Sequence, residues 1–480
     1  MKKYSFALLS AMLLTISCSD YTDLQPKGKN LLTTTDHIEM LFNREYSFSN
    51  TDWRVVCGDA VSGFSYISTE ISRPNKSRAV IMWTWDESNQ DKMAELTASD
   101  YDYTEYYEII GRIANPALTM VEDAEGDQSA KNHITCEALA LRAWCHFMLI
   151  NKFAKAYNPA TAANDRGLVY ITEDMDVQTA HSQISVQAYY DKIMDDINKA
   201  EELDGLPVVP VNRMRFSKPA LLALKALVLQ NMQKWNEAET AAKQSLAINS
   251  TVADLNDPKY LSTLTGYILG GTYPVLFKEK AKCEEDLFFT YNLEYFVPYG
   301  PEAWNRFEEG HACKEKMTTD RLMYDNFMGM AGMYLGEDSY TFTFDLNSGW
   351  NDAGLRVPQM YLVVAEAEIH KGNYDAAMEN LDKIRVCRID PEVYQPLQGN
   401  VNTLEDAVAH LKQTAHGENI YSNYNFIDRK RWNEVKGWEE TITRELAGNT
   451  YTLKPGSSMW IFPIPMNAIN NNSNLQQNYK

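Results

Sequence analysis

The chain has 480 residues, 45% of them hydrophobic, which is enough to close a sizeable core. Sixty-five acidic residues against 45 basic ones leave a net charge of −20, so the surface repels a polyphosphate backbone and nucleic acid is excluded as a natural partner. Beyond the N-terminus no apolar stretch approaches the roughly 20 residues a membrane-spanning helix needs. Aromatic content is 11%, with 28 Tyr, 17 Phe and 10 Trp, more than burial readily accounts for, so some rings are expected on display.

In chain order, Lys2 and Lys3 precede an apolar run over residues 6–16, too short to span a bilayer. Ser17 and Cys18 follow, and no small-x-small cleavage motif comes after the run. This resembles the lipobox of bacterial lipoproteins, which implies a signal peptide at 1–17 and a mature chain starting at an acylated Cys18. Losing Lys2 and Lys3 takes the net charge from −20 to −22. Of the other six cysteines none forms a CxxC pair, and Cys136 and Cys145, nine residues apart on a helix, fall on opposite faces. Most of these thiols are expected buried and free.

Residues 72–91 read "SRPNKSRAVIMWTWDESNQD". In an extended conformation Trp83 and Trp85 share one side, with Arg73, Arg78 and Asn89 close in sequence as hydrogen-bonding groups. Residues 137–159 place Ala140, Ala143, Trp144 and Phe147 on one helical face. Residues 221–246 align with residues 360–384, matching Ala226 to Ala365, Trp235 to Tyr374 and Ala238 to Ala377. Alanines where two helices approach closely, with an aromatic at the turn, form the pattern of a tetratricopeptide helix pair. Residues 137–159 are a third, degenerate copy, and long stretches rich in Gly, Pro and Tyr separate the other two, a helical framework with elaborated loops.

Catalytic signatures are missing: the sequence contains no HExxH, Gly-x-Ser-x-Gly, GxxxxGK[ST] or GxGxxG. His311 and Cys313 follow Glu308 and Glu309 but have no second pair of ligands at a metal-site spacing. Glu366 and Glu368, two apart on a helix, point in different directions and cannot flank one bond, so a scaffold or solvent role is expected.

From Cys18 to Lys480 the chain resembles the SusD (RagB/SusD-like) family of surface nutrient-binding lipoproteins of Bacteroidetes. The resemblance rests on "CSDYTDLQPKGKNLLTTTD", "YTEYYEIIGRIANPAL", "EALALRAWCHFMLINKFAKAYNP" followed by "GLVYITE", "GLRVPQMYLVVAEAEIHKGNYDAAMENLDKIR", "FIDRKRWN" and "MWIFPIPMNAINNNSNLQQN", in that order. It implies a mainly α fold with four helix pairs of the tetratricopeptide type and irregular ligand-bearing insertions. One domain over 18–480 is expected, with an N-terminal part to about 245 and a C-terminal part from 246.

The resemblance further implies a non-catalytic receptor at the outer-membrane surface, touching the membrane only through its lipid and delivering ligand to a SusC-like TonB-dependent transporter. No cofactor is implied, and a bound calcium is left open. A sugar ring offers C–H groups on its faces and hydroxyls at its rim, so it is held by flat aromatics together with amides, carboxylates or guanidinium groups. By analogy with the family, the ligand region is Trp83, Trp85, Arg73, Arg78 and Asn89, joined by a second loop carrying Tyr295, Tyr299 and Trp304. Trp144 and Trp235 are assigned to the repeat core, Trp432 and Trp460 to the framework, and Trp53 and Trp350 to loop packing, with Trp438 left open. An oligopeptide receptor of the same fold and a surface glycoside hydrolase are the alternative readings.

Overall fold

The computed structural model describes residues 32–49, 51–59, 70–176, 178–265, 272–292, 301–316 and 349–480. Cys18, Tyr295 and Tyr299 lie outside them. Among the described residues eight helices run to ten residues or more: α1 (Gln128–Phe153), α2 (Val186–Leu203), α3 (Lys218–Asn231), α4 (Trp235–Ile248), α5 (Val357–His370), α6 (Tyr374–Arg385), α7 (Leu404–Asn419) and α8 (Asn423–Trp432). The fold is mainly α.

Local chemistry sets where these helices start. Asp127, Ser185, Thr403 and Ser422 each accept a backbone N–H in the first turn of the helix they precede, satisfying donors with no intrahelical partner. Pro219 and Pro358 open α3 and α5, where a missing N–H costs nothing.

The helices pack as four pairs: α1 with α2, α3 with α4, α5 with α6, and α7 with α8. The repeat alanines lie at these contacts, with Ala226, Ala238, Ala365 and Ala377 fully buried. Although residues 249–356 intervene, α4 packs directly on α5, so the second and third pairs stack in space. Buried ion pairs tie the scaffold together. The Arg142 guanidinium donates to both Asp196 oxygens, at 2.7 and 2.8 Å, linking α1 to α2. Arg431 donates to both oxygens of Glu366 at 2.6 Å, and Gln230 donates to the same carboxylate at 2.9 Å, joining α8, α5 and α3. Glu368 instead accepts from Lys371 and Asn373, so the two glutamates are scaffold residues with different partners.

Trp144 is fully buried among Tyr46, Phe48, Tyr106 and Phe288, and its indole N–H donates to the Ala353 carbonyl at 3.1 Å. A second apolar cluster holds Trp304, Phe307, Cys313 and Trp350. Cys57, Cys136, Cys145, Cys283 and Cys313 are buried free thiols, and Cys387 is a partly buried one. Strands form two-stranded ladders only, among the described residues. The ladder that matters for the site is the hairpin Ile442–Leu446/Asn449–Leu453, turned by Ala447 and Gly448 at φ +51° and +75°. No described helix is long and apolar enough to cross a membrane.

Residues 72–91 are not extended. Ser77 accepts from the Val80 N–H and starts a helix, Arg78–Trp83; Trp85 then turns at φ +46°, and a second helix runs Gln90–Leu96. Trp83 and Trp85 therefore do not stand on one face of a strand. The Ser77 cap fixes the helix locally, and the two indoles turn inward because the hairpin covers them.

Candidate functional site

The segment 55–59, at the end of helix Thr51–Val56, has the Trp83/Trp85 pair on one side and Arg306 on the other. On one side are Trp83 and Trp85. Along the hairpin strand Ile442–Leu446 residues alternate between inside and outside, which aims Arg444 inward. Its guanidinium lies 4.7 Å from the Trp83 ring and 4.3 Å from the Trp85 ring, and donates to the carbonyls of Trp83 (2.7 Å) and Val55 (2.6 Å). The Trp85 indole N–H donates to the Val56 carbonyl at 2.9 Å. Gly58, at φ +88°, passes beneath the hairpin where a Cβ would come within 2.7 Å of an Ile442 methyl. Trp83 and Trp85 are 7% and 5% exposed, so neither offers a face for stacking.

On the other side lies a polar cleft of about 280 Å³ between α7, α8 and the short helix Pro301–Asn305. Residues four apart on a helix share a face, which brings Lys412 and His416 of α7, and Asn425 and Arg429 of α8, to its walls. Arg306 enters from the end of the short helix and Glu440 from the segment after α8. Asp59 sits beneath: it accepts from Asn425 and from Arg429 at 3.2 Å, with Arg306 at 3.9 Å. Glu440 accepts from Arg429 at 2.7 Å and Arg306 at 3.3 Å.

Burial pushes the Glu440 carboxyl up, but Arg429 and Arg306 outweigh it and hold the group below the ordinary carboxylate range. Burial lowers the Arg306 guanidinium, with Arg429 beside it adding to the effect, and burial also lowers the Lys412 ammonium. His416 is neutral, pulled down to about 4 by burial. Its Nε2–H donates to the Ala303 carbonyl at 2.9 Å, which leaves Nδ1 as an acceptor with no partner among the described residues. The cleft thus presents guanidinium, ammonium, amide and imidazole groups whose charges are mostly balanced within it.

Of the other predicted residues, Trp304 is 5% exposed, its ring edge-on to Phe307 within the second apolar cluster. Arg78 is paired with Asp52 and donates to Thr97 at 3.0 Å, a framework contact. Asn89 donates to Asp86 at 2.8 Å. Arg73 is largely exposed and meets Glu70 at 3.2 Å. Lys412, His416, Asn425, Arg429 and Glu440 were not among the predicted residues. The only sequence signal for them is the pair of i,i+4 spacings, which any solvated helix face can show.

The remaining tryptophans are structural. Trp53 is fully buried with its N–H on Asp102 at 2.8 Å, and Trp350 lies under the Lys278 ammonium, 4.4 Å from the ring centre. Trp438 stacks on His370, which stacks in turn on Trp235.

Residues 56–229 match the family described as "Starch-binding associating with outer membrane", and residues 347–480 match the SusD family, so the two together span more than half the chain. No curated protein matches. Among solved structures, a SusD superfamily protein from Bacteroides thetaiotaomicron is 19% identical, with 93% of this chain and 99% of that one covered and a TM-score of 0.66. A putative sugar binding protein from Bacteroides vulgatus is 16% identical over 94% and 99% of the two chains, with a TM-score of 0.63. A laminarin binding SusD-like protein is 17% identical over 92% and 97%, with a TM-score of 0.57. The likeness along nearly the full length of these structures shows a shared fold, and the two family matches place the chain in the SusD family.

Proposed function

We propose that this protein is a non-catalytic glycan receptor at the outer-membrane surface that captures oligosaccharide and passes it to a SusC-like TonB-dependent transporter. The observation that carries the reading is the polar cleft between α7, α8 and the short helix Pro301–Asn305. There, hydrogen-bonding groups of four kinds meet beside the short helix that follows the loop the family resemblance marks as ligand-bearing. Arg306 and Lys412 would hold sugar hydroxyls together with Gln413, which lines the cleft beside Lys412 on α7, with Tyr295 and Tyr299, which precede the short helix, supplying stacking rings. Family membership and the fold shared with a laminarin binding protein support glycan as the cargo.

A hydrolase reading has less support. A glycosidase needs one carboxyl kept protonated as general acid, whereas the cleft's Glu440 is held ionised between two guanidinium groups. Attachment to the membrane is assigned to acyl chains on Cys18, since two or three chains hold a protein at a bilayer surface without a spanning helix.

Affinity electrophoresis of the mature protein in laminarin and in starch gels tests the proposal. Retarded migration with no new reducing ends is expected, and Arg306→Ala should weaken retardation about tenfold. Release of reducing ends, or binding of oligopeptides with no glycan bound, would overturn it.

A further inference from the structure

A groove of about 480 Å³ opens far along the sequence from the cleft and shares no residue with it. It lies between helix Tyr101–Ile109, the π-helical turn Ile110–Ala114 that continues it, and helix Met466–Asn471. This volume falls in the range of small-ligand sites, and single π-turns inside helices recur at functional positions because the extra residue weakens the helix locally.

The floor is apolar and held in place. The half-buried rings of Tyr103 and Tyr107 lie 4.9 Å apart; Tyr107 donates its hydroxyl to the Val169 carbonyl at 2.9 Å, and Tyr103 rests edge-on against Phe153. Pro465 closes the opposite wall. The rim is polar and close to neutral. Arg112, 70% exposed at its side chain, pairs with Glu108 at 3.1 Å across one turn. Asn467 is exposed, while its backbone N–H is fixed on the Ala98 carbonyl at 3.0 Å. Between them Gly111 leaves the groove open: a Cβ there would meet no atom within 4 Å.

We propose that this groove is a second oligosaccharide-binding site, taking a short neutral glycan with its C–H faces on the tyrosine floor and its hydroxyls on Arg112, Glu108 and Asn467. A phosphate-bearing ligand would meet Glu108, and a purely apolar one would leave the charged rim unsatisfied. The inference rests on the glycan-receptor reading.

Gly111 supplies the test. Because its surroundings are empty and its backbone is helical, Gly111→Arg fills the groove without displacing the fold. This variant, the rim variant Arg112→Ala/Asn467→Ala and the cleft variant Arg306→Ala are compared on laminarin and starch gels, with melting temperature as the control for folding. The expected result is that both groove variants lose retardation at least threefold at unchanged melting temperature, and that Gly111→Arg combined with Arg306→Ala loses more than either alone. Groove variants that migrate as wild type on gels where Arg306→Ala does not would overturn the second site and leave the receptor standing. A wild-type protein that neither gel retards would overturn both.

Discussion

The guanidinium of Arg444 covers the indole of Trp85 at 4.3 Å, closing a tryptophan pair that the sequence alone presents as a displayed platform. The guanidinium is also doubly hydrogen-bonded to backbone, through two nitrogens held in a rigid fork that an ammonium lacks. Arg444→Ala should therefore destabilise the protein by about 2–4 kcal/mol, from the lost cation–π contact and two unsatisfied carbonyls. Arg444→Lys should recover less than half of that. Chemical denaturation followed by tryptophan fluorescence reads both, and a neutral Arg444→Ala would show that the cover is not structural.

How much of this was legible beforehand divides by mechanism. Ala226, Ala365, Trp235 and Tyr374 declared two helix pairs, because close helix approach admits only small residues at fixed spacings. The fourth pair did not show itself. Its helix α8 reads "NYNFIDRKRW", in which the buried Phe426, Ile427 and Trp432 are interleaved with Arg429, Lys430 and Arg431, buried as well through partners such as Glu366, so no clean apolar stripe marks it. Trp83 and Trp85 misled for a related reason: W-x-W has the period of a strand, and the residue that buries them lies 361 positions away along the chain. The cleft was invisible because its members come from segments that only the tertiary fold brings together.

The imidazole of His370 is sandwiched between the indoles of Trp235, 4.0 Å away, and Trp438, 4.7 Å away. This three-ring stack joins the start of α4, the end of α5 and the segment after α8. His370→Ala should cost about 2–4 kcal/mol by opening a cavity between two large rings. His370→Phe, which keeps the stack, should cost less than half as much. Urea unfolding midpoints at pH 7 separate the two.

Glu366 is the buried acceptor for Arg431 and Gln230, so Glu366→Ala strips the Arg431 guanidinium of its two-pronged partner, leaving it only the Asp428 carboxylate at 2.9 Å, and leaves Gln230 without its acceptor. A loss of about 3–5 kcal/mol is expected, enough to lower the yield of folded protein. If the residue served catalysis instead, the variant would fold normally, which circular dichroism and melting temperature would reveal at once.

Acid should loosen the packing around α7. His311 and His416 are buried and neutral, pulled down to about 3 and about 4, while both protonate near 6.5 once unfolded. Below 6.5 the unfolded chain takes up protons that the folded chain does not, so the stability they contribute is complete above pH 6.5 and falls as the pH drops from there toward 4. Unfolding free energies measured between pH 7.5 and 4.5 should decline by a few kcal/mol, and the decline should be shallower in His311→Asn/His416→Asn. An identical slope in the variant would assign the effect to other groups.

The seating of α4 against α5 means that the chain leaves the framework and rejoins it at nearly the same place. Of the described residues in between, some, such as Phe288 beside Trp144, are seated in the core, while others, such as Lys282, stay at the surface. Loop-closure entropy rises only with the logarithm of length, so the surface parts of such an excursion can lengthen or shorten at little cost, provided that the residues seated in the core keep their places. Cargo preference can then drift between descendants of one scaffold without any of them having to learn to fold again.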